Sequence, residues 1–375
     1  MTLPPIDLIL GEMRAPNLLH WEEKVRGRSI LVTGAGGFIG SHLCERLASA
    51  GPSCLVLVEN NEFALYKVMR SLESSPVRVI PVLASYGDRT IAEHMRQFKV
   101  DMVVHAGAHK HVPLVERNPV MGVKNNVLEF KNLLCAVEHA GAQLLVVSSD
   151  KAVNPTNVMG ATKQMVEALA AKAGVKAKSA VRFGNVMWSS GSVLNVFHEQ
   201  LLAGKPITLT HEDVDRFFMT VEQAVGLILQ TLCIGQQGIF ALDMGQPLKI
   251  KDVAMRLADA MGVKNVEFDV VGLRPGEKLH EEVCLGSNLT KTIHPEILEA
   301  GEGPPKMDTY NMLRELEKAV DCLDASQVRV ILQKYVLGYD PQCGIVEDLW
   351  LEANVKAGYA EVAKDDCFEA TKPAR

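Results

Sequence analysis

The sequence predicts an α/β protein with a doubly wound parallel sheet and a smaller C-terminal part that binds substrate. Two observations predict it. Short, almost wholly apolar segments alternate with helical segments between residues 29 and 183, and a glycine-rich turn follows the first apolar segment. Continuous apolar strands are typical of parallel sheets that are buried on both faces. Right-handed crossovers then place helices on both sides of the sheet.

The elements can be placed in chain order. The predicted strands are Ser29–Thr33, Cys54–Val58, Val77–Val82, Asp101–His105, Leu144–Ser148, Ser179–Phe183 and, after a break, Gly238–Leu242, which returns to the sheet. The predicted helices include Ser41–Ala50, Asn125–Ala140, Gly160–Ala173, Ile250–Met261, Asn311–Ala319 and Ser326–Lys334, with a helical turn near Trp21–Lys24. Strand length and flanking glycines separate the two classes.

These elements divide the chain into five parts. A lead-in covers 1–27, and the nucleotide-binding sheet covers 28–184. A substrate-binding part covers 185–303, with its strand near 238–244 joining the sheet, and Pro304-Pro305 begins the closing helices of 304–350. The polar segment 351–375 is expected to be a flexible tail.

Composition excludes several classes of function. The formal net charge is −6 with no basic run, which argues against a nucleic-acid partner. The eight cysteines never form C-x-x-C, so we expect reduced thiols and no metal site. No apolar stretch reaches the roughly 18 residues of a membrane span, and the N-terminus does not resemble a signal peptide. We therefore expect a cytoplasmic protein.

A glycine motif, G-x-x-G-x-x-G, directly follows the first strand and opens a helix. Its three glycines are Gly34, Gly37 and Gly40. In that context the backbone can approach a pyrophosphate, and the helix N-terminus offers amide donors and a positive dipole end. The motif predicts a Rossmann dinucleotide site. The predicted contacts are Gly34, Gly36, Gly37, Phe38, Ile39 and Gly40.

The second strand is followed directly by an acidic residue, Glu59, 19 residues after Gly40. A carboxylate at this place accepts hydrogen bonds from the adenosine ribose and repels a 2′-phosphate. The sequence therefore favours NAD over NADP.

The stretch after the fifth strand, SSDKAVNPTNVMGATK, carries the candidate chemistry. Ser149, Asp150 and Lys151 follow the strand directly, and ligands bind beyond the carboxyl ends of such strands. Met159 and Lys163 are four residues apart and share one helix face. The related Tyr-x-x-x-Lys pattern has a tyrosine as proton acceptor, and a thioether cannot take that role.

This stretch resembles the signature of the UDP-N-acetylglucosamine 4,6-dehydratases, extended short-chain dehydrogenase/reductases of bacterial polysaccharide biosynthesis. Methionine in the tyrosine place is typical of one branch, and Ser149 replaces the usual threonine but keeps its hydroxyl. The resemblance covers roughly residues 28–340. Further segments that carry it are Glu59–Tyr66, His105–Pro113, Arg182–Val186, Ser189–Val193, Asp215–Thr220 and Leu273–Lys278. Many relatives of this branch carry membrane helices ahead of the catalytic part, so this chain resembles a free-standing soluble version.

The resemblance implies an internal redox dehydration with tightly held NAD. Hydride leaves sugar carbon 4, water is lost across carbons 5 and 6, and hydride returns to carbon 6. Asp150 would be the acid at the carbon 6 hydroxyl, and Lys151 the base at carbon 5, which requires a lowered lysine pKa. Lys163 would orient the nicotinamide ribose. The acceptor of the carbon 4 hydroxyl proton stays open between Asp150 and a water relay, with Ser149 as a hydrogen-bonding group.

The expected ligands are NAD and a UDP-sugar, and the chain is expected to form a homo-oligomer. Arg216 and Arg274 would bind the diphosphate. Cofactor contacts are expected at Ala106, Ala108 and Lys163, and substrate contacts at Lys110, His111, Asn185, Val193, Arg216, Arg274 and Glu277. Two other functions stay open. One is an NAD-dependent UDP-sugar 4-epimerase, and the other is a non-catalytic nucleotide-binding protein on the same fold.

Overall fold

A computed structural model describes residues 3–11, 20–234, 237–286 and 288–341. The strands are β1 (Ser29–Thr33), β2 (Cys54–Glu59), β3 (Arg78–Leu83), β4 (Met102–His105), β5 (Gln143–Val147), β6 (Lys178–Arg182), β7 (Asn185–Val186), β8 (Ile207–Leu209), β9 (Asp215–Arg216), β10 (Phe218–Met219), β11 (Gly238–Leu242), β12 (Leu248–Lys249), β13 (Phe268–Val270), β14 (Leu289–Lys291) and β15 (Ile297–Ala300).

The helices are α1 (Ile6–Leu10), α2 (Glu22–Val25), α3 (Phe38–Ser49), α4 (Glu62–Ser71), α5 (Thr90–Gln97), α6 (Val112–Arg117), α7 (Pro119–Val123), α8 (Glu129–Ala140), α9 (Val158–Lys172), α10 (Val193–Leu202), α11 (Val221–Ile234), α12 (Ile250–Ala260), α13 (Thr309–Asp321) and α14 (Ala325–Tyr335). A π-helical turn, Lys124–Leu128, precedes α8, and a 3₁₀ turn, Asp150–Ala152, follows β5.

The main sheet has nine strands in the order β14-β15-β11-β6-β5-β4-β1-β2-β3. Its strands from β11 to β3 run parallel, whereas β15 pairs antiparallel with β11 and β14 antiparallel with β15. Chain order reverses between β1 and β4, and ligands of such sheets bind at that reversal. The sheet is therefore the doubly wound parallel sheet that the sequence predicts.

Both faces of the sheet are buried, because successive side chains of each strand enter opposite cores. Leu31 packs with α8, α9, α13 and α14 on one face, whereas Ile30 and Val32 pack with α3 and α11 on the other. This explains why β1 is apolar at each inner position. It also explains why the strand shows no alternation of polar and apolar residues.

A third core lies in the part that follows β6. Its buried side chains come from α10 and α12, with Phe197 and Leu257 fully or almost fully covered. Ile9 of α1 joins this core, so the N-terminal lead-in packs on the later part of the chain. The proposed division of the chain into parts stays a prediction.

The predicted strands and helices of the sheet are confirmed to within a few residues at their ends, and the returning strand Gly238–Leu242 pairs with β6. Elements that the sequence analysis did not predict are α1, α10, α11 and the short strands outside β1–β6 and β11. The expected tail, 351–375, and residues 342–350 lie outside the described residues.

The described residues bear on three expectations, which concern cysteines, metal ligands and membrane-spanning helices. The six described cysteines are free thiols, and Cys343 and Cys367 lie outside the described part of the chain. No group of metal-ligating side chains occurs within the described ranges. No helix among the described residues is both long and apolar enough for a bilayer.

Candidate active site

The loop between β1 and α3 has almost no room for side chains. Gly34 has a φ of +63°, and a Cβ there would lie 2.7 Å from the Gly107 Cα. A Cβ on Gly40 would lie 1.9 Å from the Gly34 carbonyl oxygen. Helix α3 has no side-chain cap and no acid in its first turn, so its amides and positive dipole end face this loop. The loop fits a pyrophosphate that approaches the backbone closely.

The rest of the predicted loop forms one wall of the same cradle. A Cβ on Gly36 would lie 2.5 Å from the Ala64 Cβ, so the loop and α4 are in direct contact. Gly37 precedes α3, and its amide donates to the Gly34 carbonyl oxygen at 3.0 Å. Phe38 and Ile39 are half-buried against the core of α3 and α11.

Glu59 is fixed at the edge of this cradle by backbone amides. Its Oε2 accepts from the Gly36 amide at 3.1 Å, and its Oε1 accepts from the amides of Asn60 and Asn61, both at 3.0 Å. Oε1 thus has both lone pairs occupied, whereas Oε2 keeps one for a ribose hydroxyl. The structure thus brings the predicted acid to the glycine loop.

The end of β4 forms the opposite wall. His105 is buried, and its Nδ1 lies 2.8 Å from the Thr33 Oγ1. Burial, together with the charge of Lys163, holds the pKa of His105 well below its ordinary value. His105 is therefore a neutral core histidine. Ala106 and Ala108, predicted cofactor contacts, follow it and are half-buried.

A residue that the sequence analysis missed, Asn126, joins this wall to the catalytic helix. It lies in the π-helical turn, a type of turn that is frequent at functional sites. Its Oδ1 accepts from the His109 amide at 2.8 Å, and its Nδ2 donates to the Thr162 Oγ1 at 2.9 Å. Asn126 therefore sets the position of the β4 loop against α9.

Asp150 is fully buried where β5 ends. Its Oδ1 accepts from the Ser149 Oγ at 2.9 Å and from the Lys151 Nζ at 3.0 Å. Its Oδ2 has no hydrogen-bond partner among the residues that the structure describes. A Cβ on Gly184 would lie 3.2 Å from that oxygen, so a glycine leaves the space beside it open. Asp150 can thus accept a further hydrogen bond from a ligand.

The Lys151 amine lies between two carboxylates. It is 3.0 Å from the Asp150 Oδ1 and 3.5 Å from the Glu281 Oε1. Burial lowers the pKa of Lys151, but the two acids outweigh burial and the net effect is a raised pKa. The expectation of a lowered pKa is therefore wrong for the free protein, because it did not include a second carboxylate.

Lys163, unlike Lys151, has a lowered pKa. It is 6% exposed, and its Nζ donates to the Val147 carbonyl oxygen at 2.9 Å. Burial lowers the pKa of Lys163 to about 8, against the opposing charge of Glu167. Met159, one turn earlier on α9, is buried in the adjoining core. The helix thus supplies an apolar surface at the position that the Tyr-x-x-x-Lys pattern assigns to tyrosine.

Glu281 is the second residue that the sequence analysis missed, and the first acidic one. It is buried, and burial raises the pKa of its carboxyl above the ordinary value. Its neighbour Glu282 is exposed and accepts from the Asn154 Nδ2 at 3.0 Å. The acidic doublet could have drawn attention to this loop, but nothing in the doublet indicates which carboxylate turns inward.

Arg216 is not available for a diphosphate. Its Nη1 donates to the carbonyl oxygens of Asp215, at 2.6 Å, and Leu279, at 3.2 Å. Its Nη2 donates to the Lys278 carbonyl oxygen at 2.8 Å and to the Glu277 Oε1 at 3.3 Å. The side chain is buried, so it holds the loop of residues 277–281 rather than a ligand. The sequence alone did not show that its donors are taken.

Glu277 and Arg274 belong to the same loop. Glu277 Oε2 accepts from the Arg274 amide at 3.2 Å, and its Oε1 accepts from the Thr210 Oγ1 at 3.1 Å. Glu277 therefore fixes the loop. The Arg274 side chain is exposed and stays a candidate for the diphosphate.

The other predicted substrate contacts lie where the β4 loop meets the later part of the chain. A Cβ on Gly191 would lie 2.5 Å from the His111 Cε1, so the loop after β7 packs on this imidazole ring. Asn185 lies in β7, and Val193 begins α10; both are half-buried. Lys110 is exposed beside them. The structure therefore shows the loop between Asn185 and Val193 in contact with His111 through Gly191.

A separate ion cluster lies behind the catalytic helix. Arg182 donates to both oxygens of Glu167, at 2.8 and 2.7 Å, and to Glu302 Oε1 at 2.7 Å. The Ser148 Oγ adds a hydrogen bond to Glu167 at 2.6 Å. We call these four residues the inner cluster, and we call Asp150, Lys151, Arg216 and Glu281 the mouth cluster.

The closing helices also contact the catalytic segment. Arg329 of α14 donates to the Glu116 Oε2 at 2.8 Å and to the Glu116 carbonyl oxygen at 2.6 Å. Glu116 in turn accepts from the Val158 amide, the first residue of α9. Beyond α14, the Asp340 amide donates to the Pro155 carbonyl oxygen at 3.2 Å. The start of α9 is thus held from the C-terminal side.

The sheet, the glycine cradle and the buried acid–lysine pair define an α/β protein of the extended short-chain dehydrogenase/reductase fold. Residues 30–302 match the family described as "Polysaccharide biosynthesis protein". The chain belongs to this family.

Two curated relatives show the breadth of the similarity. The capsular polysaccharide biosynthesis protein CapD of Staphylococcus aureus is 41% identical over 334 residues, which is 81% of this chain and 55% of CapD. A UDP-glucose 4-epimerase of Rickettsia canadensis is 31% identical over 278 residues, 70% of this chain and 80% of the relative. The chain spans only about half the length of CapD.

Two solved structures share the fold. Pen from Bacillus thuringiensis superimposes with a TM-score of 0.67 at 25% identity, over 73% of this chain and 89% of Pen. The dTDP-glucose 4,6-dehydratase DesIV from Streptomyces venezuelae, solved with NAD and TYD, gives 0.62 at 20% identity, over 88% and 98%.

Proposed function

We propose that this chain is an NAD-dependent 4,6-dehydratase that acts on a UDP-N-acetylhexosamine, with UDP-N-acetylglucosamine as the expected substrate. The observation that carries the proposal is the Asp150–Lys151 pair, 3.0 Å apart and buried at the end of β5. A dehydration needs an acid and a base beside one another. The polysaccharide-biosynthesis relatives, and the fold shared with a sugar-nucleotide dehydratase, support the assignment.

The glycine cradle fits NAD. Gly34, Gly36 and Gly40 leave room only for backbone, which a pyrophosphate requires, and Glu59 stands where the adenosine ribose would lie. Lys163 would hold the nicotinamide ribose. When bound, NAD would supply the hydride acceptor for carbon 4 and the hydride donor for carbon 6.

The acid and the base can arise from one proton transfer. Lys151 is held protonated and Asp150 lies 3.0 Å away, so moving the proton from the amine to the carboxylate gives a neutral amine and a neutral acid. The amine can then take the carbon 5 proton, and the acid can protonate the departing carbon 6 hydroxyl. Water leaves, and the Lys151 ammonium returns a proton to carbon 5 as carbon 6 receives its hydride; solvent then reprotonates the amine.

The carbon 4 hydroxyl proton needs an acceptor, since the Met159 thioether cannot accept it. Ser149 Oγ donates to Asp150 Oδ1 at 2.9 Å, and Asp150 Oδ2 is buried with no hydrogen-bond partner among the described residues. A route through Ser149 to Asp150 therefore exists within the described residues; when it is used, Asp150 is already protonated before elimination, and Lys151 releases its proton to solvent instead of to Asp150. A water relay to the same carboxylate is the alternative.

A UDP-sugar 4-epimerase is the second candidate, because the Rickettsia relative carries that name. It would use the same cradle and the same oxidation at carbon 4. It would not use a base at carbon 5, which leaves the buried Asp150–Lys151 pair without a role.

Incubation of the purified protein with UDP-N-acetylglucosamine in heavy water separates these functions. We expect a product that has lost one water and carries solvent deuterium at carbon 5, read by mass spectrometry and NMR. A product that has not lost water and carries no deuterium would instead identify the epimerase.

Lys151→Ala is expected to abolish turnover while the protein still retains NAD, because the base is lost and the cradle is unchanged. The matched control is Lys249→Ala, which removes an exposed lysine paired with Asp213 and should keep full activity. Full activity in Lys151→Ala would contradict the proposed base.

A further inference from the structure

We propose that Glu281 is a positioning residue for Lys151, which it holds as an ammonium aimed between two carboxylates until substrate enters. The proposed roles of the glycine cradle and of the Asp150–Lys151 pair do not by themselves require a second carboxylate at the lysine. The inference rests on the proposed function, since it concerns the lysine that acts as base there.

The geometry places Glu281 opposite Asp150 across the lysine. Its Oε1 lies 3.5 Å from the Lys151 Nζ and 3.9 Å from the Arg216 Nε, so one oxygen faces both cations. The Glu281 side chain is 3% exposed. Its Oε2 has no hydrogen-bond partner within the described ranges. A buried carboxylate with long contacts to cations acts through its charge rather than through a closed hydrogen-bond network.

The charges that face Lys151 come from three elements. Asp150 lies on its own turn, Arg216 on β9, and Glu281 on the loop that follows residue 278. Lys278 also faces Glu281. Arg216 opposes protonation of Lys151, and the two carboxylates favour it. Asp150 must take up a proton during the proposed reaction, whereas Glu281 takes part in none of the proposed proton transfers.

Glu281 also connects the lysine to the substrate-binding part. Arg216 binds the backbone of Lys278 and Leu279, immediately before Glu281. The exposed Arg274 begins the same loop. One loop therefore carries both the residue available for a diphosphate and the carboxylate that holds the amine.

The test measures the titration of Lys151 in the folded protein without sugar nucleotide. Acetic anhydride labels only neutral amines, so the extent of labelling against pH, read by mass spectrometry of the Lys151 peptide, gives the protonation midpoint. In Glu281→Gln the midpoint is expected to fall by about one pH unit or more, because a negative charge close to the amine is removed. An unchanged midpoint would overturn the proposal.

The matched control is Glu282→Gln, which removes the same charge one residue further along and keeps an acceptor for Asn154. Its Lys151 midpoint should equal that of the unmodified protein, and an equal fall in both variants would also overturn the proposal. The labelling midpoint of Lys151 in the unmodified protein gives a further test that needs no variant. There, Lys151 should titrate above the exposed lysines of the same digest, and titration at or below them would count against Glu281.

Failure of this inference is distinguishable from failure of the proposed function. The labelling midpoint involves no sugar nucleotide, whereas the product mass in heavy water involves no variant. A conservative change adds a kinetic readout. Glu281→Asp keeps the charge, so the rise of kcat/KM with pH should stay closer to that of the unmodified protein than in Glu281→Gln.

Discussion

The inner cluster and the mouth cluster both contain arginine or lysine between two carboxylates, yet their contacts differ. Arg182 makes three charged hydrogen bonds of 2.7 to 2.8 Å to Glu167 and Glu302. Lys151 makes one contact of 3.0 Å and one of 3.5 Å. Among the described residues, the mouth cluster has two buried carboxylate oxygens without a partner, on Asp150 and Glu281, and the inner cluster has one, on Glu302.

We interpret this difference in contacts as one between ion pairs that stabilise the fold and ion pairs at a candidate ligand site. Bidentate contacts with extra hydrogen bonds compensate the loss of hydration, so the inner cluster stabilises the junction of β5, β6 and α9. The mouth cluster has the same kind of charges with less compensation. Perturbed pKa values in such a cluster are typical of functional sites.

The largest expected effect is the difference in unfolding free energy between two Glu→Gln variants, one in each cluster. Glu167→Gln should lower the free energy of unfolding by about 3 kcal/mol or more, because it leaves Arg182 buried without its bidentate partner. Glu281→Gln should change it by less than about 1 kcal/mol, because burial already disfavours that charge. Denaturant unfolding of both variants measures the difference, and equal losses would remove the distinction between the clusters.

A second, smaller effect is expected at the contact between α14 and α9. Arg329→Met should lower the free energy of unfolding by about 2 kcal/mol, because Glu116 then keeps its charge without the guanidinium. Arg329→Lys should recover only part of this, since one ammonium cannot reproduce the guanidinium fork. Arg314→Met, on the exposed face of α13, is the control and should leave the unfolding midpoint unchanged.

The smallest effect, counted per pH unit, concerns Lys163 and appears only as a pH dependence. Its pKa is about 8 in the folded protein and near 10.4 in an unfolded chain, so between these values the unfolded state binds more protons. The free energy of unfolding should therefore rise with pH in that window, by up to about 1.4 kcal/mol per unit, and this contribution is absent below the folded pKa. The slope should disappear in Lys163→Met and persist in Lys205→Met. A slope that survives in Lys163→Met would show that Lys163 is not its source.

The sequence predicted the sheet well because its signals are local. A continuous apolar run bounded by glycine or a charged residue, such as Cys54–Val58, identifies a buried strand without knowledge of its neighbours. Helix α11 was missed because Val221–Ile234 is buried almost throughout and has no polar face to show the helical period. Helix α1 is too short for its pattern to be read.

The site was predictable only where its residues follow a strand directly. The cradle, Glu59, Asp150 and Lys151 all do so. Glu281 comes from a distant loop, and its approach to Lys151 depends on tertiary packing that no spacing reveals. The diphosphate role expected for Arg216 does not fit its contacts, because a sequence shows the donors that an arginine has and not the acceptors already bound to them.

The contacts between Pro155 and Asp340, and between Val158, Glu116 and Arg329, have a consequence for biosynthesis. A nascent chain that has emerged only as far as the sheet already possesses the dinucleotide cradle. It still lacks the late helices that fix the start of α9. We therefore expect that, during translation, the chain can bind the cofactor before it can catalyse the proposed reaction.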